Sequence, residues 1–344
     1  MPVLTGLAAL VGVAAALVGA VLGAGALATL VIALRVEAEY PPAGPFAEVA
    51  GGRLATIEAG PHQGARATVV LLHGASANAS DPMEGVGRTL AARGFRVIAF
   101  DRPGFGWSDR LGGAEAAAPA LQGEAIAQAL ERLGIGPAIV LGHSWAGALA
   151  LRIALDHPER VAGLVLVSPV ARPFPPRGEA PWYLRLALQP PVAWLLSRTL
   201  GPPVGLAYLD RAARTVFAPQ PVSAGYLERS RAALVLRPAT LLANVQDLVG
   251  LPAALAEQSP RYASLRVPAV IVAGEADPIV RTDFQARPLA EAIPGARLVA
   301  LPGIGHMVHY VAAAELAAEM ARLADRLAAP LRAQPAGAEA APTP

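Results

Sequence analysis

Ala138-Ile139-Val140-Leu141-Gly142-His143-Ser144-Trp145-Ala146-Gly147 reads as a strand that runs straight into a serine and a helix that runs straight out of it. The strand is marked by a short apolar run rich in Ile, Val and Leu, closed by glycine. So sharp a turn lifts the serine side chain above the sheet edge, and small residues two before and two after it let helix and strand approach. Gly142 and Ala146 meet that need, alanine standing where the usual pentapeptide has its second glycine. A serine that only caps a helix gives a similar local pattern, so the rest of the chain has to discriminate.

Working outward, short apolar runs alternate with helix-length amphipathic segments. Thr68–Leu72, Arg96–Phe100, Pro137–Gly142, Ala162–Val167, Pro268–Ala273 and Ala296–Leu301 read as buried strands. Ala120–Leu133, Ala146–Leu155 and Ala312–Leu327 have helical periodicity. The alternation predicts an α/β fold, a mainly parallel sheet flanked by helices on both faces. Residues 171–262 break it: a helical, proline-punctuated insertion between two strands, read as a cap.

The ends are different in kind. Hydrophobic residues make up 54% of the 344 and charged residues 16%, against roughly 45–50% and about 25% in an ordinary soluble domain. Much of the excess lies in Val3–Leu34, which holds no charged side chain before Arg35. As a helix that run is roughly 48 Å long, against a hydrocarbon core of about 30 Å. A secretory signal peptide fits less well, because no Lys or Arg precedes the run and it exceeds the apolar length of such signals. Residues 1–35 are therefore read as an N-terminal transmembrane anchor that meets the bilayer through residues 3–34. Arg35 and Arg53 downstream lean, by the positive-inside rule, towards a cytoplasmic catalytic domain. Residues 36–46, with Pro41, Pro42 and Pro45, read as a stiff linker, 47–329 as the folded domain, and 330–344 as a disordered tail.

Composition also excludes. With no cysteine there is no disulfide framework, thiolate metal site or cysteine nucleophile. A net charge of +2 gives no concentrated basic face for nucleic acid. No spaced cluster of His and carboxylates suggests a metal, and no glycine loop has the spacing of a phosphate or dinucleotide site. No cofactor is expected.

With this serine turn between strand and helix, the chain resembles the α/β-hydrolase family over about residues 47–327, specifically its serine-nucleophile members with a helical cap. Leu71-Leu72-His73-Gly74-Ala75-Ser76 looks like the family's oxyanion loop, which implies backbone N–H donors at Ala75 and Trp145. Asp101-Arg102-Pro103-Gly104-Phe105-Gly106-Trp107-Ser108-Asp109 is similar to the family's loop after the fourth strand, and is given no catalytic role. Chain order Ser, acid, His is completed by Asp277 and His306, each after a strand. Chemistry asks for these types: a serine hydroxyl needs an imidazole to take its proton, and the imidazole a carboxylate to hold its tautomer. Glu275 is the second candidate acid, and Ser168 stands where some relatives place theirs. His73 and His143 are expected to support the site. His62, His157 and His309 are read as structural or solvated.

The resemblance implies a membrane-anchored serine esterase or lipase-like hydrolase acting on a hydrophobic carboxylic ester. Alternatives are amide or N-terminal proline cleavage, carbon–carbon bond hydrolysis, acyl transfer, and a non-catalytic ligand-binding protein. Serine rather than aspartate at the turn disfavours dehalogenase and epoxide-hydrolase chemistry. Eight of the chain's 17 aromatics fall in residues 171–262, which also carry net charge +5. That pattern suits an apolar lid or pocket, and a basic, aromatic cap could meet anionic lipid.

Overall fold

The computed structural model describes residues 2–174 and 181–329, and the expected tail lies outside them. Its centre is an eight-stranded sheet of β1 (Phe46–Val49), β2 (Gly52–Ala59), β3 (Thr68–Leu72), β4 (Arg96–Phe100), β5 (Ala138–His143), β6 (Val161–Val167), β7 (Ala269–Gly274) and β8 (Arg297–Leu301). The order is β1-β2-β4-β3-β5-β6-β7-β8. The six strands expected from the sequence are all parallel, and β1 and β2 extend the sheet antiparallel beyond β4.

Side chains alternate across the sheet as a strand's period of two requires. Val70, Leu72, Val140, Leu164, Leu166 and Ile271 enter one core; Val69, Leu71, Leu141, Val165, Val167 and Val272 enter the other. The first core is closed by α2 (Pro119–Arg132) and α3 (Trp145–Asp156), and also by α8 (Ala286–Ala292). The second is closed by helical turns over residues 80–92 and by α9 (Ala313–Ala328), whose Leu316, Met320 and Leu323 recur at helical spacing.

Between β6 and β7 the chain leaves the sheet as α4 (Trp182–Ala187), α5 (Pro190–Arg198), α6 (Gly201–Phe217) and α7 (Pro238–Gln258). Leu251 and Leu255 carry the second half of α7 into the first core, so the insertion is rooted in the domain it covers.

At the other end, α1 runs from Pro2 to Glu39. The helix thus runs four residues past the anchor boundary expected at residue 35. Val36 is buried, and Glu37 meets Arg237 at 2.8 Å, so packing on the insertion prolongs the helix into the expected linker. The expected linker leaves the helix from Tyr40 onward, where its prolines begin.

The topology places the site. After β3 the chain moves outward to β4, then crosses back to pair β5 on the opposite side of β3, with Leu72 beside Gly142. Ligands of open α/β sheets bind where strand order reverses in this way, at the carboxyl ends of the strands.

Candidate active site

Ser144 follows β5 directly and precedes α3, with φ 52° and ψ −118°, a conformation that L residues rarely adopt. Such a residue costs on the order of 1–3 kcal/mol and persists only where its surroundings hold it. Here Val167 O accepts its N–H, and its carbonyl accepts from both Gly147 and Val170. A Cβ on Gly142 would stand 2.2 Å from Ala146 O, so that glycine is required, whereas Ala146 carries its own methyl fully buried.

Beside the serine runs the loop after β3. A Cβ on Gly74 would lie 3.1 Å from Ser144 Cβ. The His73 ring shapes this turn: Nδ1–H donates to Gly74 O at 2.9 Å and Nε2 accepts from the Arg102 N–H at 3.0 Å. Both bonds require the neutral tautomer. Burial, and secondarily the Arg102 cation, holds this imidazole well below its ordinary pKa. Ala75 follows in the same loop, and Trp145 is the first residue of α3, whose amide has no partner within the helix.

Asp277 and His306 come together across the ends of β7 and β8. His306 Nδ1 donates to Asp277 Oδ2 at 2.7 Å, while Asp277 Oδ1 accepts the N–H groups of Ile279 and Val280, each at 2.8 Å. Glu275 instead meets Arg287 at 2.8 Å near the surface. Ser144, His306, Gly74 and Ala75 line one cavity of about 290 Å³, walled by Leu209, Val216 and Leu236 of the insertion. The arrangement offers a nucleophile, a buried imidazole with one nitrogen fixed by a carboxylate, and main-chain donors, all facing apolar walls.

The family description alpha/beta hydrolase fold matches residues 67–313. The chain belongs to the α/β-hydrolase fold family. It is 36% identical over 113 residues to a 2-hydroxymuconate semialdehyde hydrolase of Pseudomonas putida, covering 33% of this chain and 40% of that one. Over 87 residues it is 42% identical to bifunctional epoxide hydrolase 2 of Rattus norvegicus, covering 25% and 16% respectively. These matches therefore span less than half of each relative's own length. Among solved structures, an esterase from Exiguobacterium antarcticum superposes with TM-score 0.63 at 22% identity, covering 82% of this chain and 99% of that one. A membrane phospholipase A, described as a bacterial virulence factor, superposes with TM-score 0.62 at 23% identity, covering 95% and 98%.

This hydrolase-fold chain also holds its site together through residues that motif spacing does not reveal. Arg102 is fully buried, bonded to His73 O, Gln122 and Asp247, with its guanidinium 3.9 Å from the Trp145 ring centre. Desolvation lowers its pKa to about 10, so it stays charged at neutral pH. Two amides of the inserted segment reach the loops beneath. Asn244 accepts from the Ser76 N–H at 2.8 Å, and Gln220 accepts from the Gly305 N–H at 2.9 Å while donating to Gly303 O. Nothing in the local sequence marks these amides, because their partners lie 83 to 168 residues away.

The histidines sort by depth. His62 and His157 lie towards the surface, beside Glu58 and Glu124. His143 donates through Nε2 to His306 O at 3.3 Å, and its ring packs against both His306 and His309. His309 is fully buried and paired with Asp81 at 3.1 Å. Asp81, His143 and His309 form a compact group with ligand-type atoms within 4.8 Å of one another. Spacing along the chain gave no sign of it, since Asp81 lies on a helical turn after β3, His143 at the end of β5 and His309 on a helical turn after β8.

Proposed function

We propose that this protein is a membrane-anchored serine hydrolase that cleaves hydrophobic carboxylic esters through an acyl-enzyme. The carrying observation is the Asp277-paired His306 in one apolar cavity with Ser144 on its strained turn. Ser144 Oγ attacks the ester carbonyl and His306 Nε2 takes its proton. The N–H groups of Ala75 and Trp145 receive the oxyanion. Collapse of the tetrahedral intermediate expels the alcohol, protonated by His306, which then draws a proton from the water that hydrolyses the acyl-serine. Losing one oxyanion donor typically costs about 10²–10³ in rate, which gives the bonds holding the Gly74 loop their importance. The fold-level likeness to the Exiguobacterium esterase is consistent with this chemistry. The local identity to epoxide hydrolase 2 does not carry its activity here, because an alkyl-enzyme route needs a carboxylate where this chain has Ser144.

The chain is held to the bilayer by α1, with the catalytic domain on the cytoplasmic side by the charge asymmetry at Arg35 and Arg53. A topology reporter fused after Leu327 tests the sidedness. The chemistry is tested with the full chain in detergent micelles and p-nitrophenyl esters of graded chain length. Turnover is expected to vanish in Ser144→Ala and to favour apolar acyl groups. Equal turnover by that variant, or none by the folded wild type, removes the ester reading and redirects assays to amide and carbon–carbon substrates.

A further inference from the structure

α1 is longer than a bilayer requires, and its surplus turns hold the inserted helices. Along those turns one face is occupied by protein. Gly25 abuts the corner between α5 and α6, where a Cβ would stand 2.9 Å from Leu200 Cδ2 and 3.2 Å from the Thr199 carbonyl. One turn on, Thr29 Oγ1 donates to Thr199 O at 2.5 Å, and Val36 is buried two turns later. The outer face of the same turns stays open and apolar, with Leu27, Leu30 and Leu34 all exposed.

Gly25 precedes Arg35, the first charged side chain of α1, by ten residues, about 15 Å along the helix axis. The α5–α6 corner therefore stands about that far on the membrane side of the first charge. With α1 spanning the bilayer as proposed, a protein surface at that level meets the lipid boundary, and the surface of α4 to α6 suits it: Trp182, Trp194, Val204 and Leu206 are 72%, 51%, 56% and 49% exposed. Tryptophans concentrate where hydrocarbon meets headgroups. Residues 182–217 also hold four Arg against the single acid Asp210, a balance that favours anionic headgroups.

The helix that meets α1 at this corner is also the wall of the cavity. Leu209, Ala213 and Val216 of α6 line the space above Ser144. Tyr208 lines it too and is 55% exposed, which puts a mouth of the cavity on the surface that α6 turns outward.

We propose that α4, α5 and α6 lie in the interfacial layer of the bilayer, and that the cavity admits its substrate beside Tyr208 directly from that layer. The substrate class is then an acyl ester of a bilayer-resident lipid. This substrate assignment rests on the ester-hydrolase reading, whereas the immersion of the helices does not.

The full chain, reconstituted in phosphatidylcholine–phosphatidylglycerol vesicles, tests both. α1 keeps every variant on the vesicle, so differences report the inserted helices. Lipids brominated near the headgroup are expected to quench tryptophan fluorescence more than lipids brominated near the chain end, and Trp182→Phe/Trp194→Phe is expected to lose most of that quenching. Trp182→Gln/Trp194→Gln is expected to cut hydrolysis of a vesicle-borne diacyl lipid about tenfold and to leave hydrolysis of p-nitrophenyl butyrate unchanged. Absence of quenching by either lipid overturns the immersion, and an equal fall on both substrates overturns the entry route. Intact quenching with no ester turnover in the wild type overturns the ester reading and the lipid substrate while upholding the immersion.

Discussion

Two carboxylates follow β7, and their surroundings divide them. Asp277 is buried, with one oxygen filled by two main-chain N–H groups and the other by His306. Glu275 stands near solvent beside Arg287. Asp277→Asn preserves the shape but turns an amide towards donors, which unsettles the imidazole tautomer. A fall in kcat of about 10³–10⁴ is expected, read on p-nitrophenyl butyrate, while Glu275→Gln stays near wild type. A loss confined to Glu275→Gln reverses the assignment. The choice between the two carboxylates was only half legible in the chain. Both residues follow a strand, and the second was favoured because Glu275 lies closer to the strand and before the bend made by Pro278.

At the scale of elements, α7 joins the insertion to the domain by a buried charge. Arg102 and Asp247 meet at 2.6 Å with no exposure on either side chain, and Arg110 meets the other Asp247 oxygen at 2.8 Å. Removing one partner of such a pair strands an uncompensated charge in the interior, at a cost of about 3–5 kcal/mol. Asp247→Ala is therefore expected to lose that much stability in urea unfolding of the micelle-held chain. A loss below about 1 kcal/mol, the size of a surface pair, counts against the buried-pair account. The same charge ties α7, apolar and 21 residues long, to the domain, with Leu251 and Leu255 buried while Leu248 and Val249 stay exposed. Strands β3 to β7 were legible because burial on both faces makes them continuous apolar runs, and the partly exposed edge strand β8 because every residue after Arg297 is apolar. β1 and β2 were not, since each is partly exposed and breaks that pattern.

Across the whole molecule, pH acts through groups with opposite signs. His73 and His143 are held neutral in the fold, chiefly by burial, so their contribution is present above the ordinary histidine pKa and is lost as pH falls below it. Asp101 is pushed up to about 6 by burial, against the pull of two main-chain N–H bonds from Ala79 and Trp107. Its contribution is present in acid and lost as pH rises through about 6. Between pH 6 and 5 the imidazoles give the unfolded chain up to about two extra protons and Asp101 offsets part of them. The net is about one proton, or about 1.4 kcal/mol lost per pH unit. Unfolding midpoints across that interval are expected to follow this slope, and Asp101→Asn is expected to roughly double it. A flat profile in the wild type contradicts the neutral, buried histidines.

The amino-acid pattern alone carries the mainly parallel α/β sheet and the apolar N-terminal helix, and it nominates Ser144, Asp277, His306, Ala75 and Trp145 as site residues. Periodicity is a local property, and the serine turn compresses its steric demands into a few adjacent positions. How the insertion grips the loops through Asn244 and Gln220, how Asp81, His143 and His309 gather, and how far α1 extends emerge from the folded chain. Each of these depends on groups distant in the chain whose partners are chosen by packing. A buried amide, ion pair or imidazole has no local spacing that marks it, because its stability comes from neighbours that the fold brings into reach.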